Sequence, residues 1–291
     1  MDSAKKCCCI VLNYNDSATT TGLLDKIKDY SVFDKIIVVD NCSPDDSYEV
    51  LKKSEDHKIK VIRTPRNGGY GYGNNYGIKY AREEFEADYA LIVNPDVIFE
   101  EQVVSGLISI MDNNNNCAVA SCLETDKIGN VTGKGWPIPT YSEYVFCTLK
   151  IMSRLLRIKG ASYPDSYYAG KDIVNAECFI GSFLLVDIDK FLEIDGYDER
   201  MFLFCEETTL GTKIKNAGYT SLLDMKHSFI HMHSVSINKA MKRIRQIRGI
   251  FDSRLFYIEH YMKVSKFKLI VAKLVFHIAI AEERVKLLIK R

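Results

Sequence analysis

Polar residues that could bind a ligand follow four successive apolar runs of the sequence. They are Asn13-Tyr14-Asn15, Asp40-Asn41, Arg66-Asn67-Gly68-Gly69 and Asn94-Pro95-Asp96. An arginine in such a group can hold a phosphate or a base edge. Each group also has a purely conformational explanation, because Asn, Asp, Gly and Pro are common turn residues. Four such groups in succession favour a ligand site over four unrelated turns.

The apolar runs before these groups predict the elements that position them. Five short runs rich in β-branched residues predict strands, and helix-length segments lie between them. The predicted strands are 8–12, 35–39, 58–62, 89–93 and 117–122, and the predicted helices are 19–30, 45–55 and 73–85. This alternation indicates an α/β fold with a mostly parallel sheet. Ligands bind beyond the carboxyl ends of such strands, so the four polar groups are expected to meet at one rim.

A glycine-rich segment, residues 68–77, follows the third predicted strand and contains the spacing G-x-G-x-x-x-G. A dinucleotide-binding fingerprint belongs in the first strand-to-helix turn, and no glycine precedes Gly22 in this chain. A nicotinamide-dependent enzyme is therefore the weaker interpretation. The glycines still allow the backbone to approach a ligand closely.

The second half of the chain gives fewer clear signals. Residues 125–175 surround the only tryptophan, Trp136, and predict an irregular excursion over the site. Beyond it the sequence predicts strands at 183–186 and 220–223, a helix at 206–216 that Gly218 ends, and helix from 237 to the end.

Composition excludes several classes of protein. The 291 residues are 47% hydrophobic and 26% charged, which is typical of a folded globular protein and not of a disordered or collagen-like one. A formal net charge of +1 gives no reason to expect nucleic acid as a partner. The first apolar run is too short for a signal peptide, and nine cysteines without a C-x-x-C pair favour reduced thiols. We therefore expect a cytoplasmic protein.

Positive charge is concentrated in residues 237–291, which hold 14 Lys and Arg against 4 Asp and Glu. Between Met241 and Phe251, basic residues alternate with apolar ones at helical spacing, which predicts a basic amphipathic helix. Such a helix can bind anionic lipid, placing the protein at the inner face of the cytoplasmic membrane. A helix pair that packs on the rest of the chain, or that forms a homodimer, is the alternative.

An ordered set of short motifs runs from residue 7 to residue 236. The first half contains V-L-N-Y-N, V-V-D-N-C-S-P-D, R-N-G-G-Y-G-Y-G-N-N-Y-G-I and N-P-D-V, and the second half contains G-S-F-L-L, D-G-Y-D-E, F-L-F, E-E and A-G-Y. In this order the set resembles the family 2 glycosyltransferases of the GT-A fold, in particular their bacterial rhamnosyltransferase-like branch. The resemblance implies a GT-A (nucleotide-diphospho-sugar transferase) domain at 1–236, with a mixed, mostly parallel sheet flanked by helices, and a basic helical extension at 237–291.

The resemblance also implies a reaction and a metal. It implies transfer of a sugar, with inversion, from a nucleotide diphosphate donor to a hydroxyl of a glycan or lipid-linked acceptor in bacterial surface polysaccharide synthesis. A divalent cation, Mg2+ or Mn2+, would offset the charge of the leaving diphosphate. Asp96 is the expected first ligand, because Asn94-Pro95-Asp96 keeps only the last acid of the family's D-x-D-like element. His231 aligns with the first position of the family's H-x-x-G-x-S element, in which Ser234 replaces the glycine, and His233 lies one strand step beyond. Either histidine could instead be an ordinary polar strand residue.

Glu207 is the expected general base, as the second acid of the family's E-D or E-E pair, with Glu206 as its neighbour. The apolar run Phe202-Leu203-Phe204 before it could raise its pKa by desolvation. A helix start would instead lower the pKa of both acids through the dipole. The family usually has a further acid where this chain has Thr209, so a catalytically inactive relative is an alternative.

Donor contacts implied by the resemblance involve several of the rim residues. Asn13 and Asp40 would face the pyrimidine and ribose, and Arg66 and Asn75 would lie beside the base. The remaining expected donor-binding residues are Asn15, Gly68, Asn94 and Asp96. A dTDP-sugar or UDP-sugar is thus favoured, with dTDP-rhamnose and UDP-hexoses as the main candidates.

Two other functions remain open at this point. A nucleotidyltransferase shares the sheet topology, but the first strand lacks its glycine-rich signature. A non-catalytic sugar-nucleotide-binding subunit would explain Thr209 and the single acid of Asn94-Pro95-Asp96.

Overall fold

The structure is a computed structural model that describes residues 5–155, 157–232 and 239–289. Its strands are β1 Cys7–Asn13, β2 Lys35–Asp40, β3 Ile59–Arg63, β4 Tyr89–Val93, β5 Val97–Ile98, β6 Cys117–Thr125, β7 Val131–Gly133, β8 Ile173–Asn175, β9 Phe183–Asp187 and β10 Thr220–His231. Its helices are α1 Ser17–Ile27, α2 Ser47–Lys52, α3 Tyr70–Phe85, α4 Glu101–Asp112, α5 Tyr141–Phe146, α6 Lys150–Leu155, α7 Asp165–Tyr168, α8 Ile188–Glu193, α9 Glu206–Asn216, α10 Lys239–His260 and α11 Lys266–Ile289.

The strands form one mixed sheet in the order β3-β2-β1-β4-β9-β6-β10-β5. The first four strands in this order are parallel, as predicted, and β9 is antiparallel to both β4 and β6. Strands β7 and β8 pair at the side with β6 and β10. The carboxyl ends of β1, β2 and β4 therefore lie together at one edge, where the first polar groups were expected.

Both faces of the sheet are covered, so its strands are apolar on both sides. In β1, Cys7, Cys9 and Val11 pack in one core cluster while Cys8 and Ile10 pack in the other. This alternation follows from the two-residue period of a strand. None of the nine cysteines, all within the described ranges, forms a disulfide.

The glycine-rich segment lets α3 lie close to the sheet. A Cβ at Gly73 would lie 2.3 Å from a methyl group of Leu12, and one at Gly77 would lie 2.7 Å from Ile10. Helix α3 begins at Tyr70, three residues before the predicted start. Gly73 and Gly77 thus serve close packing of helix on strand, and of the glycines in this segment only Gly69 borders the cavity described below.

The other sequence predictions have mixed outcomes. The predicted strands and the helix at 206–216 are confirmed, but α2 is shorter than predicted. Strand β10 is longer than the predicted 220–223, because after an irregularity between Asp224 and Ser228 it pairs again with β6. The irregular excursion contains the short elements β7, α5, α6, α7 and β8.

The predicted helical C-terminal region is confirmed over its described residues, and it consists of two helices, α10 and α11. The helical conformation is interrupted between α10 and α11, where Lys263 adopts a left-handed backbone with φ 48°. The two helices pack on each other and on α5, forming a third core cluster that includes Tyr144, Tyr257 and Phe276. Among the described residues, no helix has the length and hydrophobicity needed to cross a lipid bilayer.

Candidate active site

A cavity of about 470 Å³ opens at the carboxyl ends of β1, β2 and β4, and we call it the rim cavity. Its walls come from each of the four predicted polar groups. The lining residues are Leu12, Asn13, Tyr14, Asp16, Thr19, Asn41, Asn67, Gly69, Tyr70, Asn94, Pro95, Asp96, Phe202 and Leu203. The amino end of α3 lies at this cavity, and its partial positive charge favours an anion there.

Asn13 is held in place by residues behind the rim cavity. Its amide nitrogen donates to Asp40 Oδ1 at 3.0 Å, and its amide oxygen accepts from the hydroxyl of Thr20 at 2.9 Å. Asp40 is fully buried and also accepts from the backbone N–H of Ser43, with Arg63 Nε 3.3 Å away. In this structure Asp40 orients Asn13 and does not itself line the cavity.

The side-chain amides of Asn41 and Asn67 hold the glycine-rich loop in place. Asn41 donates to Asn67 Oδ1 at 3.1 Å and to the carbonyl of Gly69 at 3.0 Å. Gly69 has φ 92°, and a Cβ there would lie 2.0 Å from the carbonyl oxygen of Phe202. That carbonyl accepts from the backbone N–H of Tyr70 at 3.0 Å. The loop therefore touches the segment 202–205, which we call the strap.

Asp96 reaches the rim cavity as part of a chain of three side chains. His231 Nε2 lies 3.2 Å from Asp96 Oδ1, and His231 Nδ1 lies 3.0 Å from Glu124 Oε1. The antiparallel pairing of His231 with Val97 brings β10 beside Asp96. Burial acts to lower the pKa of His231, but the carboxylates of Asp96 and Glu124 outweigh burial and raise it. His231 thus links Asp96 to the buried Glu124, while His233 lies outside the described residues.

A divalent cation fits Asp96 on the chemistry of its donors. Mg2+ is commonly held by one or two carboxylates together with substrate phosphates. Within the described ranges, no group of three or more His, Cys, Asp or Glu side chains is arranged to hold a metal by itself. A cation at Asp96 would therefore need oxygens from a bound diphosphate. The contacts of His231 favour a role in holding Asp96.

Glu206 and Glu207 begin α9, directly after the strap. Burial, followed by the charge of Glu207, raises the pKa of Glu206 to about 7. Burial also raises the pKa of Glu207, against the opposing effect of the Gly181 amide. Desolvation thus outweighs the helix dipole for both acids. Thr209, at the position of the missing acid, is buried and donates to the carbonyl of Cys205 at 2.9 Å.

Glu207 faces a second cavity, of about 410 Å³, on the other side of the strap. We call it the Glu207 cavity, and its walls include Trp136, Tyr144, Phe204 and Arg254. The strap is the common wall: its first two residues line the rim cavity and its last two line the Glu207 cavity. Phe204 and Cys205 both have left-handed backbones, with φ 73° and 68°. Such strain in non-glycine residues often marks functional sites.

Tyr70 connects the rim cavity to the residues around Glu207. It lines the rim cavity, and its hydroxyl donates to the carbonyl of Gly181 at 2.6 Å. A Cβ at Gly181 would lie 3.3 Å from Glu207 Oε1, so Gly181 also borders the acid. Burial and the charges of Glu206 and Glu207 raise the pKa of Tyr70, which places its ring close to both carboxylates.

Some residues expected at the donor lie elsewhere in the structure. Asn75 is buried against the backbone of Tyr197, to which it donates at 2.9 Å, and also donates to Glu199. The guanidinium of Arg66 is exposed and lies 4.5 Å from the ring centre of Tyr72. Gly68 packs beneath the same ring, and Asn15 is exposed, with its N–H bonded to Ser43. None of these four lines the rim cavity.

The sequence analysis did not assign roles to Asn41, Tyr70 or Glu124. Asn41 follows Asp40 directly, so its position after a strand was a usable signal. Glu124 lies inside a β-strand, and only the pairing of β6 with β10 brings it to His231. No local pattern in the sequence marks such a residue.

Comparison with known proteins bears on the family of the chain. The family model "Glycosyl transferase family 2" matches residues 8–167. Rhamnosyltransferase WbbL of Escherichia coli (strain K12) is 29% identical over 156 residues, which cover 52% of this chain and 55% of that protein. The low-salt glycan biosynthesis hexosyltransferase Agl10 of Haloferax volcanii is 24% identical over 226 residues, covering 75% of this chain and 66% of that protein. The chain thus spans about half to two thirds of the length of these curated relatives.

Solved structures show the same architecture. The mannosyltransferase PcManGT from Pyrobaculum calidifontis, in complex with GDP-Man and Mn2+, has a TM-score of 0.60 at 14% identity, covering 97% of this chain and 74% of that one. GalNAc-T7 with UDP, GalNAc and Mn2+ has a TM-score of 0.61 at 14% identity, covering 88% of this chain and 50% of that one. At this identity the likeness concerns the fold alone. The match to the family model shows that the chain belongs to glycosyl transferase family 2, and the solved structures show that it has the GT-A fold.

Proposed function

We propose that this protein is an inverting glycosyltransferase that moves a sugar from a nucleotide diphosphate donor to a hydroxyl of a glycan or lipid-linked acceptor. The observation that carries the proposal is the placement of the Glu206–Glu207 pair directly behind the strap that walls the rim cavity. The donor would occupy the rim cavity, and the acceptor would enter the Glu207 cavity. The two substrates would then meet at the strap.

The chain's own residues would supply binding and proton transfer. Asn13 and Asn41 line the part of the rim cavity where the base and ribose would bind, and the amino end of α3 lies where a diphosphate would carry its charge. Asp96 would hold a divalent cation, which would offset the charge of the leaving group. Glu207 would take the proton of the acceptor hydroxyl at its carboxylate. Its raised pKa suits that task, because a base works best when its pKa is close to the working pH.

The donor proposed is a pyrimidine nucleotide sugar, with dTDP-rhamnose and UDP-hexoses as candidates. The relatives named above support rhamnose or a hexose as the sugar, since one is a rhamnosyltransferase and another a hexosyltransferase. Nucleotide release should be measured for a panel of dTDP- and UDP-sugars with Mn2+, Mg2+ or EDTA, together with thermal shifts for the same donors. Metal-dependent release from one donor would support transfer and identify that donor. Shifts without release would favour a non-catalytic sugar-nucleotide-binding protein, consistent with Thr209.

The role of Glu207 has its own test. Glu207→Gln keeps the shape of the side chain but removes the base, so nucleotide release should fall by about 10²- to 10⁴-fold. Donor binding, measured by thermal shift, should be retained. Glu84→Gln is the matched control, because Glu84 is exposed on α3 far along the helix from the rim cavity. Unchanged turnover in Glu207→Gln would show that another group acts as the base.

A lipid-linked acceptor would require the protein to work at a membrane surface, facing the cytoplasm. The C-terminal helices are the part of the chain proposed to make that contact. A homodimer through the same helices is the competing arrangement.

A further inference from the structure

Helix α11 carries an apolar stripe on its outer surface. Phe267, Ile270, Leu274, Ile278 and Val285 are each between 52% and 74% exposed. At about 100° per residue, these five side chains fall within roughly 80° of arc on the helix. The stripe extends over about 27 Å. Isolated exposed apolar residues are normal on a protein surface, but an aligned row of large ones marks an interaction surface.

The opposite face of α11 is fixed by the fold. Ala272, Phe276 and Ala279 are buried in the third core cluster, where the ring of Phe276 stacks on Phe251 at 4.6 Å. Glu283, on the same inner face, accepts from both Lys150 and Arg243. The stripe therefore points away from the core and cannot turn inward without breaking these contacts.

Basic residues flank the stripe on both sides. Lys266, Lys273 and Arg284 lie about 80° to 100° from its centre on one side, and Lys268 and Lys286 lie about 120° away on the other. All five side chains are exposed. Of the two described carboxylates of α11, Glu283 is buried, and the half-buried Glu282, about 80° from the centre of the stripe, accepts from the backbone N–H of Lys150. The exposed charged residues beside the stripe are thus predominantly positive.

We propose that the outer face of α11 docks in the plane of an anionic lipid bilayer. The apolar side chains would enter the acyl boundary, and the flanking lysines and arginine would reach the headgroups. A second copy of the chain is a poorer occupant, because pairing two such faces would bring positive rows together. The inference rests on the proposed function and deepens it: it assigns the proposed membrane contact to one face of α11 and to anionic lipid, and docking itself requires neither donor nor acceptor.

Docking would also bring the catalytic side of the molecule to the membrane. Tyr141 of α5 donates from its hydroxyl to the carbonyl of Lys268 on α11, and Tyr144 of the same helix lines the Glu207 cavity. Helix α5 therefore contacts α11 through Tyr141 and forms part of the wall of that cavity through Tyr144. A membrane-held acceptor would find the Glu207 cavity close to the surface.

The test is flotation of the full chain with vesicles of phosphatidylcholine alone or mixed with phosphatidylglycerol, without donor or acceptor. We expect binding to the mixed vesicles, weakened at least about tenfold by the double substitution Leu274→Glu and Ile278→Glu. Lys273→Gln and Arg284→Gln should each weaken it about fivefold, and only for the anionic vesicles. Ile128→Glu is the matched control, since Ile128 is 84% exposed in a turn outside the C-terminal helices, and it should bind like the unchanged protein.

Two results would overturn the proposal. One is equal vesicle binding by the unchanged protein and both sets of α11 variants. The other is a protein that does not bind vesicles but forms a dimer, by light scattering, which Leu274→Glu and Ile278→Glu convert to monomer. If the double variant does not fold, the two charge variants still decide the outcome. Thermal shift by the nucleotide donor is measured in parallel, so that a failure of docking is separated from a failure of the proposed function.

Discussion

At the scale of single residues, Glu206 carries the energetic cost of a buried carboxyl group. It is 7% exposed, and its Oε1 accepts no hydrogen bond within the described ranges. Its pKa is raised to about 7, above its ordinary value of 4.5. Folding therefore favours the protonated form, and the stability associated with that form is lost as the pH rises through about 7.

This cost predicts a pH-dependent effect of Glu206→Gln. Below the ordinary pKa of a glutamate, both proteins carry a neutral side chain at this position. Between about pH 4 and pH 8 the free energy of unfolding of the unchanged protein should fall relative to the variant, by up to about 3 kcal/mol. Urea unfolding at several pH values measures this difference. A difference that does not vary with pH would show that the carboxyl group is not desolvated.

Asp96 gives a second prediction at this scale. Because it is the carboxylate proposed to hold the cation, Asp96→Asn should raise the Mn2+ concentration needed for half-maximal nucleotide release by about tenfold or more. Asp29→Asn, at an exposed position beyond α1, is the control and should leave the metal dependence unchanged. The same Mn2+ dependence in Asp96→Asn and in the unchanged protein would exclude this carboxylate as the ligand.

The rim residues show how far the sequence predicts the site. Asn13, Asn94 and Asp96 could be found because they directly follow apolar strands, and parallel strands bring such positions to one edge. The contact of Asn75 with Tyr197 could not be predicted, because Tyr197 is distant in sequence. Glu124 was missed for the same reason, since the register between β6 and β10 decides its partner.

At the scale of elements, the glycine-rich loop packs directly against the strap. Gly69 and Gly129 both have left-handed backbones, with φ 92° and 88°. A Cβ at Gly129 would meet no atom within 4 Å, whereas one at Gly69 would collide with the carbonyl of Phe202. The two glycines therefore differ in the contact with the strap, and Gly69, with ψ −175°, also has a backbone conformation that only glycine readily adopts.

Alanine substitutions at the two glycines should have different effects. Gly129→Ala should cost about 1–2 kcal/mol through its backbone conformation alone. Gly69→Ala should cost about 1–3 kcal/mol more, because the strap has to shift. It should also raise KM for the donor, since the strap forms a wall of the rim cavity. Thermal unfolding and donor titrations measure both effects, and equal losses of stability would mean that the strap is not held by the loop.

At the scale of the whole molecule, the C-terminal helices share a core cluster with the segment 125–175. Tyr144, Val145 and Leu149 pack with residues of α10 and α11, and the hydroxyls of Tyr257 and Thr212 lie 2.7 Å apart, which joins α10 to the helix of the acid pair. These contacts predict that the helices unfold together with the catalytic part. The division of the chain at residue 236 stays a prediction from sequence.

Phe276 and Phe267 allow this cooperativity to be tested within one helix. Phe276 is 2% exposed in the third core cluster, whereas Phe267 is 74% exposed on the outer stripe. Phe276→Ala should lower the free energy of unfolding by about 3–5 kcal/mol, and Phe267→Ala should change it by less than about 0.5 kcal/mol. If the molecule is one cooperative unit, Phe276→Ala will also lower the temperature at which a bound nucleotide is released, in a single transition. A separate early transition that leaves nucleotide binding intact would instead show that α10 and α11 form an independent unit.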